Sequence, residues 1–204
     1  MTTTDVLWIA VADTRRPTLR PLPVEVAELL RSVDAPPRLV AHLRAVHDVA
    51  AQLVAWVGQN SPALVFDAHA VLFGAATHDI GKARWTEELS GPGSAHEEAG
   101  RELLTAHGVG ADLARFAGSH ASWDAPGVGF EDLLVSLADK IWKNKRVADL
   151  EDLVVAALAR AGGRTVWEEF MSLDEALTRI GDAAEERLAY QMSHPVARPS
   201  REAG

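Results

Sequence analysis

The sequence predicts an all-α bundle, a single domain with room for one short β element at its N-terminus. Three observations carry that prediction. Apolar residues recur at helical spacing, most clearly at Leu39, Leu43, Val46, Ala50, Leu53, Val54 and Val57. Proline and glycine punctuate such stretches at helix starts and stops. Alternation of the strand kind is weak and confined to residues 5–20. With 204 residues, 48% hydrophobic and 24% charged, the chain has an ordinary globular composition and can bury about 70% of its unfolded surface without staples.

Taken in order, residues 5–20 end at Arg20-Pro21-Leu22-Pro23, an extended arm or short hairpin. Pro23 opens a short helix to about Ser32, and Pro36-Pro37 starts a long one that Gly58 closes. Asn60-Ser61-Pro62 reads as a cap with proline in the first turn, launching a helix to about Asp79 that Gly81 stops. Gly91-Pro92-Gly93 is a loop. Ser94 then caps a helix with Glu97 and Glu98 in its first turn, where the macrodipole favours acids, and Gly108 and Gly110 break it. A short helix leads to a loop around residues 123–129. Further helices are expected from Phe130 to about Val147 and over 149–161 and 165–191. The resulting division is an arm (1–22), a core (23–147), an acidic helical extension of the same domain (148–192) and a disordered tail (193–204).

Composition excludes several chemistries. No cysteine is present, so disulfides, thiolate nucleophiles and cysteine metal sites are absent, and any metal site must use His, Asp and Glu. A net charge of −9 disfavours duplex nucleic acid and anionic membranes as partners. No apolar run reaches ~18 residues, and the opening MTTTDVLWIA lacks the basic flank of a secretory signal, so a cytoplasmic location is expected. Of the 20 basic residues only Lys82, Lys140, Lys143 and Lys145 are lysines, and they fall in two short windows.

Those windows adjoin the histidines and acids that carry chemistry. His47 lies among apolar residues of its helix, His78 and Asp79 are adjacent at the end of the next, and His96 follows the glycine-rich loop. His120 ends a short helix. Asp139 sits in the apolar run Leu133-Leu134-Val135-Ser136-Leu137-Ala138, where a carboxylate needs a cation or a metal because burial alone costs several kcal/mol.

Read together, VHDVAAQL, FGAATHDIGK, SAHEEAG, GSHAS and SLADKIWK resemble the HD-domain superfamily of metal-dependent phosphohydrolases, whose H…HD…D motif sits on a helical bundle; the likeness spans about residues 36–147. The GYP signature of the cyclic-dinucleotide phosphodiesterases is missing, and the chain looks more like the small single-domain diadenosine tetraphosphatases. The resemblance implies that His47, His78, Asp79 and Asp139 bind one metal and that His96 and His120 help to hold a second. It implies hydrolysis of a small phosphorylated metabolite, a nucleotide or dinucleoside polyphosphate, by a metal-bridging hydroxide. The acidic 148–190 stretch has no counterpart in it.

Four imidazoles and two carboxylates suit Fe, Mn, Co, Ni or Zn, and two such ions ~3.5–4 Å apart can activate water for in-line attack on phosphorus. Asp79 can bridge them if the helix loosens at Gly81. Lys143 and Arg146 fall at i+4 and i+7 from Asp139 on one helical face, and Lys82 follows the His-Asp pair, so these three are the expected phosphate-binding cations. The same spacing allows an Asp139–Lys143 helix ion pair. Lys140 lies beside a ligand but rotated off its face. His42, five residues before His47, falls off the ligand face, and His69, His107 and His194 are read as structural. Trp85, Trp123 and Asp124 flank the motifs in loops, either shaping a base pocket or packing. Two other functions fit the ligand set: a diiron oxygenase and a non-catalytic binding module. The C-terminal helices offer a surface for a homodimer.

Overall fold

The computed structural model describes residues 17–196. The helices are α1 (Val24–Ser32), α2 (Pro37–Asn60), α3 (Ala68–Thr77), α4 (Ala95–Ala106), α5 (Ala111–Ala114), α6 (Phe116–Ser119), α7 (Phe130–Ile141), α8 (Ala148–Gly162), α9 (Val166–Gly181) and α10 (Ala184–Met192), with 3-10 turns at Ile80–Ala83 and Thr86–Leu89. No strand occurs among the described residues, so the fold is all-α. The weakly alternating arm lies mostly outside them. Its end is extended, burying Leu19 and Leu22, while Arg44 donates to the carbonyls of Leu19 (2.8 Å) and Arg20 (3.1 Å).

The long helix α2 is the axis. It is buried nearly all round, through Leu39, Leu43, Val46, Val49, Leu53 and Val57 among others. On one side Val46, Leu53 and Val57 share a core with Val71, Leu134, Leu137, Ile141, Leu158 and Leu177, joining α2 to α3, α7, α8 and α9. On the other, Leu39 and Leu43 meet Val26, Leu30, Phe73, Ile80 and Leu104, which brings in α1 and α4. Helix α3 contributes to both cores, through Val71 to one and Phe73 to the other.

Several element boundaries differ from expectation, each for a local reason. Helix α2 runs through Gly58 to Asn60, and α3 starts not at Pro62 but at Ala68. Asp67 is its cap: the side chain accepts from Ala70 N (3.0 Å), and Asp67 N donates to Glu131 (2.9 Å). Ser94 occupies the cap position of α4 without a side-chain bond; Glu88 accepts from the backbone N–H groups of Ala95 and His96 instead. Helix α7 stops at Ile141, and the chain turns through Asn144 at φ 55°. The predicted 165–191 helix breaks after Gly181, and Arg187 of α10 fills the break, donating to the carbonyls of Ile180 (2.6 Å) and Trp142 (2.7 Å).

The expected disordered tail is ordered at its start. His194 is 3% exposed, and Arg38 donates to the carbonyls of His194 and Met192 (2.9 and 3.0 Å); residues 197–204 lie outside the described ones. No helix among the described residues is long and apolar enough to cross a membrane.

Candidate metal centre

Six buried side chains meet between the helices. Helix α2 supplies His42, the end of α3 supplies His78 and Asp79, the first turn of α4 supplies His96, the residue after α6 is His120, and α7 supplies Asp139. They form two adjoining triads, each able to hold a metal ion: His42, His78 and Asp139, and Asp79, His96 and His120.

In the first triad His42 Nε2 is 3.3 Å from His78 Nε2 and 3.8 Å from Asp139 Oδ1, and His78 Nε2 is 3.5 Å from the same oxygen. Edges of that length match tetrahedral coordination with bonds of ~2.0–2.1 Å, which places ligand atoms ~3.3 Å apart. In the second, Asp79 Oδ1 is 3.0 Å from His96 Nε2 and 3.5 Å from His120 Nε2. The other oxygen, Asp79 Oδ2, faces the first triad, 3.1 Å from His42 and 3.7 Å from His78. One carboxylate thus presents an oxygen to each triad.

Local backbone geometry makes this possible. Helix α3 ends at Thr77, and Asp79 has left helical geometry (φ −102°, ψ 11°) before the 3-10 turn begins. The loosening expected at Gly81 therefore occurs two residues earlier, and adjacent side chains both turn inward. Gly81 matters for a different reason. A Cβ there would lie 2.6 Å from Gly100 N and collide with the His96 carbonyl, so only glycine lets α4 approach.

The imidazoles are held with Nε2 inward. His78 Nδ1–H donates to the carbonyl of Ala75 (3.0 Å), His120 Nδ1–H to that of Phe116 (3.3 Å), and His96 Nδ1–H to Glu88 Oε2 (2.5 Å). Because each Nδ1 carries the proton, each Nε2 offers a lone pair. His42 is braced by the edge of Trp142, ring centroids 4.8 Å apart. Asp79 Oδ1 and His96 Nε2 are buried 3.0 Å apart with no other hydrogen-bond partner, so an ion seated beside them with His120 would satisfy both.

Electrostatics matches a ligand set. Burial works to raise Asp79 and Asp139, but His78 and its neighbours outweigh it and hold both carboxyls well below the usual range. Burial lowers His42, and it lowers His120 to about 4, keeping both neutral at neutral pH. Metal binding requires those protonation states. His96 differs: burial works to lower it, but Asp79 and Glu88 outweigh burial and hold it above its usual value, so an ion at the second triad would displace a proton from it.

Three lysines line the cleft, and two of them hold the carboxylates. Lys82 Nζ is 2.6 Å from Asp79 Oδ2 and Lys140 Nζ is 2.6 Å from Asp139 Oδ2. Lys143 stands exposed at the mouth. The cleft above the triads has a volume of about 420 Å³, and Leu188 and Gln191 of α10 form part of its wall.

Two expected site residues lie elsewhere. His47 is buried away from both triads, with Arg20, Arg44 and Asp48 as its charged neighbours; His42 takes the place expected of it. Arg146 is bound to Glu151 (2.7 Å) and Asp174 (2.8 Å). Its i+7 placement assumed a continuous helix, which the turn at Asn144 interrupts. Trp123 packs beside Lys140, its ring 5.5 Å from Nζ, whereas Trp85 and Asp124 are exposed outside the cleft. His42, Glu88 and Gln191 escape sequence reasoning for a shared cause, since the place of each depends on how separate segments meet; Lys140, which helical rotation puts off the ligand face, reaches the carboxylate of its neighbour Asp139 all the same.

The fold and site define an all-helical bundle with two adjoining His/Asp triads. No family model matches the chain, and neither the curated proteins nor the solved structures include a significant match.

Proposed function

We propose that the protein is a dinuclear metal-dependent phosphohydrolase of the HD type acting on a small phosphorylated metabolite, with a nucleotide as the expected class. The observation that carries this reading is the division of Asp79 between two His-containing triads under three lysines. Two divalent transition ions supply the Lewis acidity and water activation that phosphoryl transfer needs, so no protein nucleophile is required. His42, His78 and Asp139 would hold one ion and His96 and His120 the other, with Asp79 offering an oxygen to each.

The chain's own cations suit a polyanionic substrate. Lys82 and Lys140 keep the ligand carboxylates ionised and oriented, and Lys143 meets incoming phosphate at the mouth. A cleft of about 420 Å³ is on the scale of ordinary small-ligand sites.

The test is phosphate release by protein loaded with Mn, Fe or Co, across nucleoside mono-, di- and triphosphates and dinucleoside polyphosphates. Turnover abolished in His78→Ala and Asp79→Asn is the expected result. Two ions bound with no turnover on any phosphate ester would overturn it.

A further inference from the structure

We propose that Glu88, which lies outside both triads, is the positioning residue that decides whether the second ion is held. The inference rests on the two-ion reading and concerns how the second triad is built. Glu88 sits in the 3-10 turn Thr86–Leu89, eight residues before His96, with its side chain 7% exposed. Its carboxylate accepts three hydrogen bonds: from Ala95 N (3.1 Å), from His96 N (3.2 Å) and from His96 Nδ1–H (2.5 Å). One group therefore caps α4 and fixes the ring of the histidine in its first turn.

The consequence for His96 is specific. An ionised carboxylate on Nδ1 holds a proton on that atom and turns Nε2 into the second triad, where Asp79 Oδ1 lies 3.0 Å away. Among the triad histidines, His78 and His120 are oriented by backbone carbonyls of their own helical segments. His96 alone of these three is oriented by a charged side chain from another segment. Such a partner also raises the basicity of the ligand nitrogen.

The loop is shaped to admit this carboxylate. A Cβ on Gly93 would lie 2.7 Å from Glu88 Cγ, so glycine at 93 leaves the space Glu88 passes through. Gly93→Ala should then mimic loss of Glu88 without altering any donor atom.

The experiment is Co²⁺ binding to the full chain, with stoichiometry from elemental analysis after desalting and stepwise affinities from titration followed by visible absorption. Wild type is expected to hold two ions. Glu88→Ala should weaken the second by about 10–100-fold and leave the first unchanged. Glu88→Gln, which keeps an acceptor for Nδ1–H without the charge, should fall between. Adding Glu88→Ala to His96→Ala should cost nothing further, because one residue acts through the other. A merely structural role would weaken both ions together and add to His96→Ala. Two ions of unchanged affinity in Glu88→Ala and Glu88→Gln would overturn the proposal alone; one ion or none in wild type would overturn the two-ion reading with it.

Discussion

His42 and His47 stand five residues apart on α2, about 140° of helix rotation, so they cannot serve the same site. Co²⁺ titration should separate them: His42→Ala loses the ion of the first triad, and His47→Leu keeps both ions. A second pair distinguishes mouth from scaffold. Lys143→Ala should raise KM for phosphate substrates with little change in stability, because the side chain is exposed at the cleft. Arg146→Ala should leave KM unchanged and cost about 1–3 kcal/mol in urea unfolding, because the buried Glu151 carboxylate loses its partner. His78, Asp79, His96, His120 and Asp139 are legible in the sequence from their order and flanking residues. The remaining triad residue, His42, is not, because apolar periodicity gives a helix its phase only when one side faces water. Helix α2 is buried on nearly every side, so apolar neighbours around His47 do not show which histidine faces the cleft.

At the scale of elements, starts and stops are legible where the punctuating residue acts locally and obscure where it acts at a distance. Pro37 opens α2, and Gly108 follows α4 at φ 82° as expected. Pro62 does not start α3 because the stronger signal is Asp67, tied by its backbone to Glu131 at the start of α7. Asp67→Ala should cost about 1 kcal/mol by chemical denaturation, the usual worth of an N-cap. Gly81→Ala should do more, since the added carbon meets the backbone of α4 rather than a movable side chain. The expected cost is about 1–3 kcal/mol, together with weakened binding of the ion that depends on His96. A G81A protein of wild-type stability and unchanged Co²⁺ affinity would contradict the close packing described.

For the whole molecule, buried histidines make the stability of the metal-free protein depend on pH. Burial, aided by Arg20 and Arg44, lowers His47 to about 4, against about 6.5 in the unfolded chain. Between those values the unfolded chain binds the proton and the folded one does not, so stability rises with pH there. The neutral ring is fully tolerated above about pH 6.5, and stability is lost as pH falls towards 4, by about 3 kcal/mol for this residue. His120, also lowered to about 4, acts in the same direction, whereas His96, held above its usual value against burial by Asp79 and Glu88, opposes them. Urea unfolding at pH 7, 5.5 and 4.5 should show the decline, and His47→Leu should flatten it by roughly that amount.

The six triad residues also set when the site comes into being. His42 and Asp139 are 97 positions apart in the sequence, and the residues between them enter from three further segments. No single hairpin of helices contains a complete triad: the first needs α2, α3 and α7 docked together, the second needs the end of α3, the start of α4 and the end of α6. Contacts so distant in sequence come after local helix formation, because closing the intervening chain loses entropy before those contacts can offset it. A refolding chain should therefore recover its far-ultraviolet signal early and its capacity to capture an ion last, making capture a clock for the final docking step.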